Sequence, residues 1–139
     1  MLAKKRKVFG EGHPQTFASW NGLAEALCRE QRYDEGVDTY VDLLEHGRTT
    51  LGEKSRLMAV YRRHYGACLT AKGDYPAAEA QLKEALAAMT RISPTHLDTQ
   101  NTLIELIRLD EAWGRPQQAG VYRAQLDAAR TPATAPAAR

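Results

Sequence analysis

The chain has 139 residues, of which 43% are hydrophobic and 26% charged, and a formal net charge of +2. That length is enough for one domain with a real core, and so small a net charge does not by itself point to a polyanionic partner. No stretch approaches the roughly eighteen apolar residues of a membrane span, and the opening MLAKKRKVFG has no apolar segment behind its basic residues, so it does not read as a secretory signal.

Alanine, leucine, glutamate and arginine are plentiful while Ile, Val and Phe are scarce, which favours helix over sheet. Apolar residues recur at spacings of three and four, and no convincing run alternates with period two. In chain order, residues 1–12 read as the end of a truncated helix and a linker, stopped by Gly10. A helix is expected from Pro14 or Gln15 to Glu30, with proline where a first turn tolerates it. Its partner runs from Tyr33 to Thr49, and Gly52-Glu53 punctuates the next linker. A second pair spans Lys54–Ala71 and Tyr75–Arg91 around the turn Lys72-Gly73-Asp74. A third spans Leu97–Trp113 and Pro116–Arg130, with Gly114 between. Residues 131–139, TPATAPAAR, offer nothing to bury and are expected to be disordered.

The pairs repeat. A shift of 42 aligns Leu27 with Leu69, Tyr33 with Tyr75, Gly36 with Ala78 and Tyr40 with Leu82; a further 41 places Gly73 on Gly114 and Ala78 on Ala119. One helical hairpin cannot bury its own apolar face, so three of them at a near-constant period imply a stacked array. The units divide at about 13–53, 54–94 and 95–130.

Trp20, Leu23, Ala24, Leu27, Tyr33, Gly36 and Tyr40 in unit one, and Tyr65, Gly66, Leu69, Gly73, Tyr75, Ala78 and Leu82 in unit two, resemble the tetratricopeptide repeat. Gln31 replaces the turn glycine in unit one, Arg62 takes the bulky position in unit two, and Ile107, Asp110 and Arg123 break the pattern in unit three. The long linkers, clearest at Gly10–Thr16, are similar to the 42-residue kinesin-light-chain-like subclass, which bacterial multi-repeat proteins use, sometimes behind a protein-kinase domain. The resemblance implies an all-α fold: a right-handed superhelical stack, or α-solenoid, of about three helix-turn-helix repeats. It also implies a non-catalytic, cytoplasmic module that binds a protein or peptide in its concave groove. The alternatives are a regulatory or C-terminal segment of a larger signalling protein such as a Ser/Thr protein kinase, and a scaffold that forms homo-oligomers through open solenoid ends exposing Leu2, Val8 and Phe9.

In the family's register the first helix of each hairpin lines the groove. This assigns Asn21, Glu25, Cys28 and Arg29 from unit one, Arg63, Ala67 and Thr70 from unit two, and Asn101, Arg108 and Glu111 from unit three. Glu25 and Glu105 stand where a carboxylate-gripping clamp would want neutral or basic groups, so capture of a chaperone tail is not expected.

Other chemistry is weakly signalled. His13, His46, His64 and His96 lie in different elements, and His13 and His96 occupy equivalent linker positions, so a structural or capping role is expected for them. No nucleophile context or phosphate-binding loop is present, and neither an enzyme, a cofactor nor a metal is expected. Cys28 and Cys68 show no CxxC spacing, and the expectation is two half-buried free thiols of a reducing compartment, with a disulfide or redox role as the alternative. Asp34, Glu35, Asp38, Asp42 and Glu45 make the second helix acidic, either as a solvated face or paired with Arg56, Arg62 and Arg63. The KKRK run Lys4–Lys7 reads as a solvated helix end, and neither a nucleic acid nor a membrane is expected as a partner.

Overall fold

A computed structural model describes residues 14–131, and within them the chain forms six α-helices and no strand. These are α1 Pro14–Arg29, α2 Tyr33–Gly47, α3 Arg56–Lys72, α4 Tyr75–Ile92, α5 Leu97–Ala112 and α6 Pro116–Arg130, with a wide π-helical turn Arg48–Gly52 after α2. The expectations on the basic N-terminal segment, its apolar residues, His13 and nearly all of the tail fall outside the described residues.

Consecutive helices pair as hairpins, α1 with α2, α3 with α4 and α5 with α6, and each second helix packs on the first helix of the next unit. Two cores result. Phe17 and Trp20 of α1, Leu43 and Leu44 of α2, and Met58 and Tyr61 of α3 form one. Leu69, Ala78, Leu82, Leu103, Leu106, Leu109, Tyr122 and Leu126 form the other. Both draw on more than one hairpin, which is the physical reason for the repetition.

The three hairpin turns close alike. Arg32 N–H donates to the Leu27 carbonyl at 2.8 Å, Asp74 N–H to Leu69 at 2.9 Å, and Arg115 N–H to Asp110 at 2.7 Å, the six-to-one bond of a Schellman cap. Such a cap places one residue in the left-handed region, and Gln31 (φ 66°), Gly73 (φ 94°) and Gly114 (φ 73°) occupy it. A residue with a Cβ meets a penalty of roughly 1–2 kcal/mol there, so unit one carries strain that the others avoid. Gln31→Gly should therefore raise the unfolding free energy by about 0.5–1 kcal/mol, net of the extra freedom of glycine in the unfolded chain. Urea denaturation of the two proteins checks this; an unchanged midpoint would show that the turn is not strained.

The departures from the repeat pattern have local explanations. Arg62, in the register of Trp20, is only 5% exposed. Its guanidinium donates to the Glu53 carbonyl at 3.1 Å and the Glu53 carboxylate at 2.8 Å, with Glu84 3.5 Å away, so a linker residue satisfies the buried charge. In unit three, Ile107 packs against the core at the register of Ala24 and Gly66, while Arg123 turns outward to pair with Glu111. His96 caps α5, its ring Nδ1 accepting from Asp98 N–H at 2.9 Å, as the linker position implied.

One sequence expectation is corrected, and one of two alternatives is set aside. Cys28 and Cys68 are not free thiols: they form a disulfide with Cα atoms 5.8 Å apart. They lie 40 residues apart in sequence, and only the stacking of α1 beside α3 brings them together, so spacing along the chain gave no sign of the bond. Of the basic residues of α3 only Lys72, at its end, pairs with the acidic α2 among the described residues, reaching Asp34 at 3.2 Å, while the three arginines look elsewhere. Arg56 and Arg63 turn to Asp98 at 2.8 and 3.9 Å, and Arg62 to Glu53 and Glu84.

Candidate functional site: a cleft between the first helices

The first helix of each hairpin contributes to a cleft of ≈ 320 Å³. Glu25 and Arg29 come from α1, Arg63, His64 and Ala67 from α3, and Glu105 from α5, while Tyr40 and the Cys28–Cys68 pair lie at its floor and wall. The periodicity explains why. Ala24, Leu27, Leu69 and Leu106 on these helices are buried in the stack, so residues one position along from the apolar stripe face the opening.

A polar network holds the rim. His64 Nδ1 lies 3.0 Å from the Glu25 carboxylate and 3.1 Å from Asn21 Oδ1. A carboxylate can only accept, so Nδ1 carries the proton and joins α3 to α1. Burial lowers the His64 pKa and neighbouring Arg63 adds to that, while Glu25 and Asp98 oppose both. The net shift is downward, so the ring is neutral at pH 7. On the other side Asp98 gathers Arg56 and Arg63, tying α5 to α3. Arg63 Nε is buried without a hydrogen-bond partner. Below the rim Tyr40 and Tyr65 stack with ring centroids 5.4 Å apart, and burial, followed by the Glu25 charge, holds the Tyr40 phenol well above its usual pKa.

The predicted groove residues separate into three groups. Glu25, Cys28, Arg29, Arg63 and Ala67 line the cleft, and Asn21 supports it through His64. Thr70 is half-buried and donates its hydroxyl to the Gly66 carbonyl at 2.9 Å, within its own helix. Asn101 is half-buried outside the cleft lining, Arg108 is exposed and pairs with Glu105 at 2.9 Å, and Glu111 is held by Arg123. His64, Cys68 and Glu105 join the lining beyond that assignment. For His64 the available signal was its position next to Arg63 on the same helix turn; a histidine in a helix otherwise reads as structural.

Arg29 is exposed and makes no ion pair among the described residues, and the cleft mixes two carboxylates, two guanidiniums and a neutral imidazole. No group of three or more His, Cys, Asp or Glu among the described residues could hold a metal, and no helix there is long and apolar enough to cross a membrane. The arrangement can donate and accept hydrogen bonds along an elongated ligand.

A profile described as "Tetratricopeptide repeat" matches residues 15–91. The chain is also 27% identical over 84 residues to the Clustered mitochondria protein homolog of Debaryomyces hansenii. That similarity covers 60% of this chain but 6% of the yeast protein, so the chain spans a small part of its relative's length. The matched segment contains the first two hairpins, their turns and the cleft between α1 and α3. With a stack of helical hairpins whose first helices line a common cleft, the chain belongs to the tetratricopeptide repeat family.

Proposed function

We propose that the chain is a non-catalytic interaction module that binds a peptide segment of a protein partner in the cleft between α1, α3 and α5. Tetratricopeptide repeats generally mediate protein–protein interaction, and the observation that carries the reading here is the cleft's mixed polar lining beside the Tyr40 ring, with Arg29 left unpaired among the described residues. Exposed Arg29 makes no ion pair among the described residues, and Arg63 keeps a buried N–H without a hydrogen-bond partner. Both are donors for backbone carbonyls or carboxylates of an extended chain. Glu25 and Glu105 alternate with them and select against a uniformly acidic ligand. Asn21, Thr70, Asn101, Arg108 and Glu111 are then secondary, acting through neighbours or at the groove's margin.

The yeast relative carries its similar segment within a far longer chain, which fits a module serving a larger assembly. A peptide selected from a displayed library on the intact protein provides the ligand for a test. Calorimetric titration should show Arg29→Glu weakening that peptide by about tenfold or more, as expected for a charge reversal at the centre of a site. Arg130→Glu, at the far end of the stack, should leave affinity unchanged. Equal affinities for all three proteins would place binding outside the cleft.

A further inference from the structure

The Cys28–Cys68 bond joins α1 of the first hairpin to α3 of the second, closing one wall of the cleft. It does not hold either hairpin together: α1–α2 and α3–α4 pack through their own apolar faces, and direct contact between α1 and α3 is slight beside them. The fold also makes room for it. A Cβ on Gly36 of α2 would come within 2.6 Å of Cys28 Sγ, and the equivalent positions in the other units are Ala78 and Ala119. Unit one has glycine at the place where the sulfur passes.

The surroundings suit exchange. Cys68 is 4% exposed, whereas Cys28 is half-buried and borders the open cleft. Arg29 and Arg63 border the same space, and cationic neighbours stabilise a departing thiolate. When the bond opens, two small apolar thiols replace it, so no buried charge is left behind.

We propose that this disulfide is a redox switch that sets the width of the cleft. A dithiol reductant attacks Cys28 Sγ, expelling the Cys68 thiolate, which takes up a proton. The second thiol of the reductant then attacks the mixed disulfide, releasing Cys28 as a thiol and leaving the reductant as a cyclic disulfide. The protein gains two electrons and two protons, and an oxidised dithiol reverses the exchange. In the oxidised state α1 and α3 are held at fixed spacing; in the reduced state they part, and the cleft loses its wall. The consequence for ligands rests on the groove being the binding face, but the mechanical switch does not.

The test uses the intact chain. After purification without reductant, alkylation under denaturing conditions and non-reducing peptide mapping should recover a crosslinked Cys28–Cys68 peptide; free thiols at both positions would overturn the proposal. Dithiothreitol under native conditions, followed by iodoacetamide, should label both cysteines while helical circular dichroism is retained. A bond that yields only in denaturant is a staple, and that result also overturns it. Hydrogen exchange should quicken by about tenfold in residues 21–29 and 63–71 on reduction, with residues 97–130 unaffected. The Cys28→Ser/Cys68→Ser protein should match the reduced state, and unchanged exchange in reduced parent protein refutes the switch even if that variant does not fold. Titration of the selected peptide into both redox states completes the test: weaker binding after reduction is expected, and equal binding overturns gating. Because thiol mapping and exchange need no ligand, a failure there leaves groove binding standing, and a failed peptide selection leaves the switch standing.

Discussion

Gly66→Leu is expected to lower the unfolding free energy by roughly 2–3 kcal/mol, at the upper end of what overpacking costs. The β-carbon alone would meet Leu82 Cγ at 2.5 Å and Cδ2 at 2.7 Å. Leu82 is fully buried in the second core, between Leu69, Ala78 and Leu106, and has no free space to swing into. The helices α3 and α4 must therefore separate, or Leu82 must leave its rotamer. Thermal unfolding should shift downward by roughly 4 °C or more for each kcal/mol lost. The paired variant Gly66→Leu/Leu82→Ala tests the mechanism. Exchanging the large and small sides of the hairpin should recover part of the loss. A Gly66→Leu protein that melts with the parent would mean that the close approach of α3 and α4 is not constrained.

Asp110→Leu is expected to act in the opposite direction, raising stability at pH 7 by roughly 2 kcal/mol, the value of burying a leucine side chain. Asp110 occupies the register of Leu27 and Leu69, is 1% exposed, and has neither carboxylate oxygen hydrogen-bonded. Arg115 Nε, 3.9 Å away, is too distant to satisfy it. Burial raises the Asp110 pKa above its ordinary 3.8, and Glu79 adds to this against the opposing charges of Arg115 and Lys83.

The sign of the pH effect follows from that direction. An acid whose folded pKa lies above its unfolded one binds its proton more tightly in the fold. Its penalty is therefore full above the raised pKa and disappears as pH falls below the ordinary value. The stability difference between Asp110→Leu and the parent should be largest near pH 7 and narrow toward pH 4. Denaturant titrations across that range check it, and a difference that is constant with pH would show that Asp110 binds its proton equally well folded and unfolded, so that burial does not penalise its charge.

The cleft was legible in part. The apolar stripe through Trp20, Leu23, Ala24 and Leu27 fixes which face of α1 is buried, and residues beside it had to face the groove. That reasoning reached Glu25, Arg29 and Arg63. It placed Glu111 in the groove as well, but at the last unit's C-terminal end Arg123 draws that carboxylate toward α6. Thr70 lies outside the cleft lining for another reason: a hydroxyl in a helix can satisfy itself on the preceding turn, as it does on Gly66.

What the sequence determined by itself is the architecture. Three- and four-residue spacing, turns at Gln31, Gly73 and Gly114, and the recurrence of small residues at Gly36, Ala78 and Ala119 fix helices, hairpins and stacking order, because each depends on contacts within one unit or its neighbour. Tertiary structure alone decided the partners of side chains that reach between units. It joined Cys28 to Cys68, aimed Arg56 and Arg63 at Asp98 rather than at the acidic α2, and set His64 against Glu25. Each of these depends on how far one hairpin is rotated against the next. Residue spacing constrains that angle weakly, because flexible side chains such as arginine can reach more than one acid.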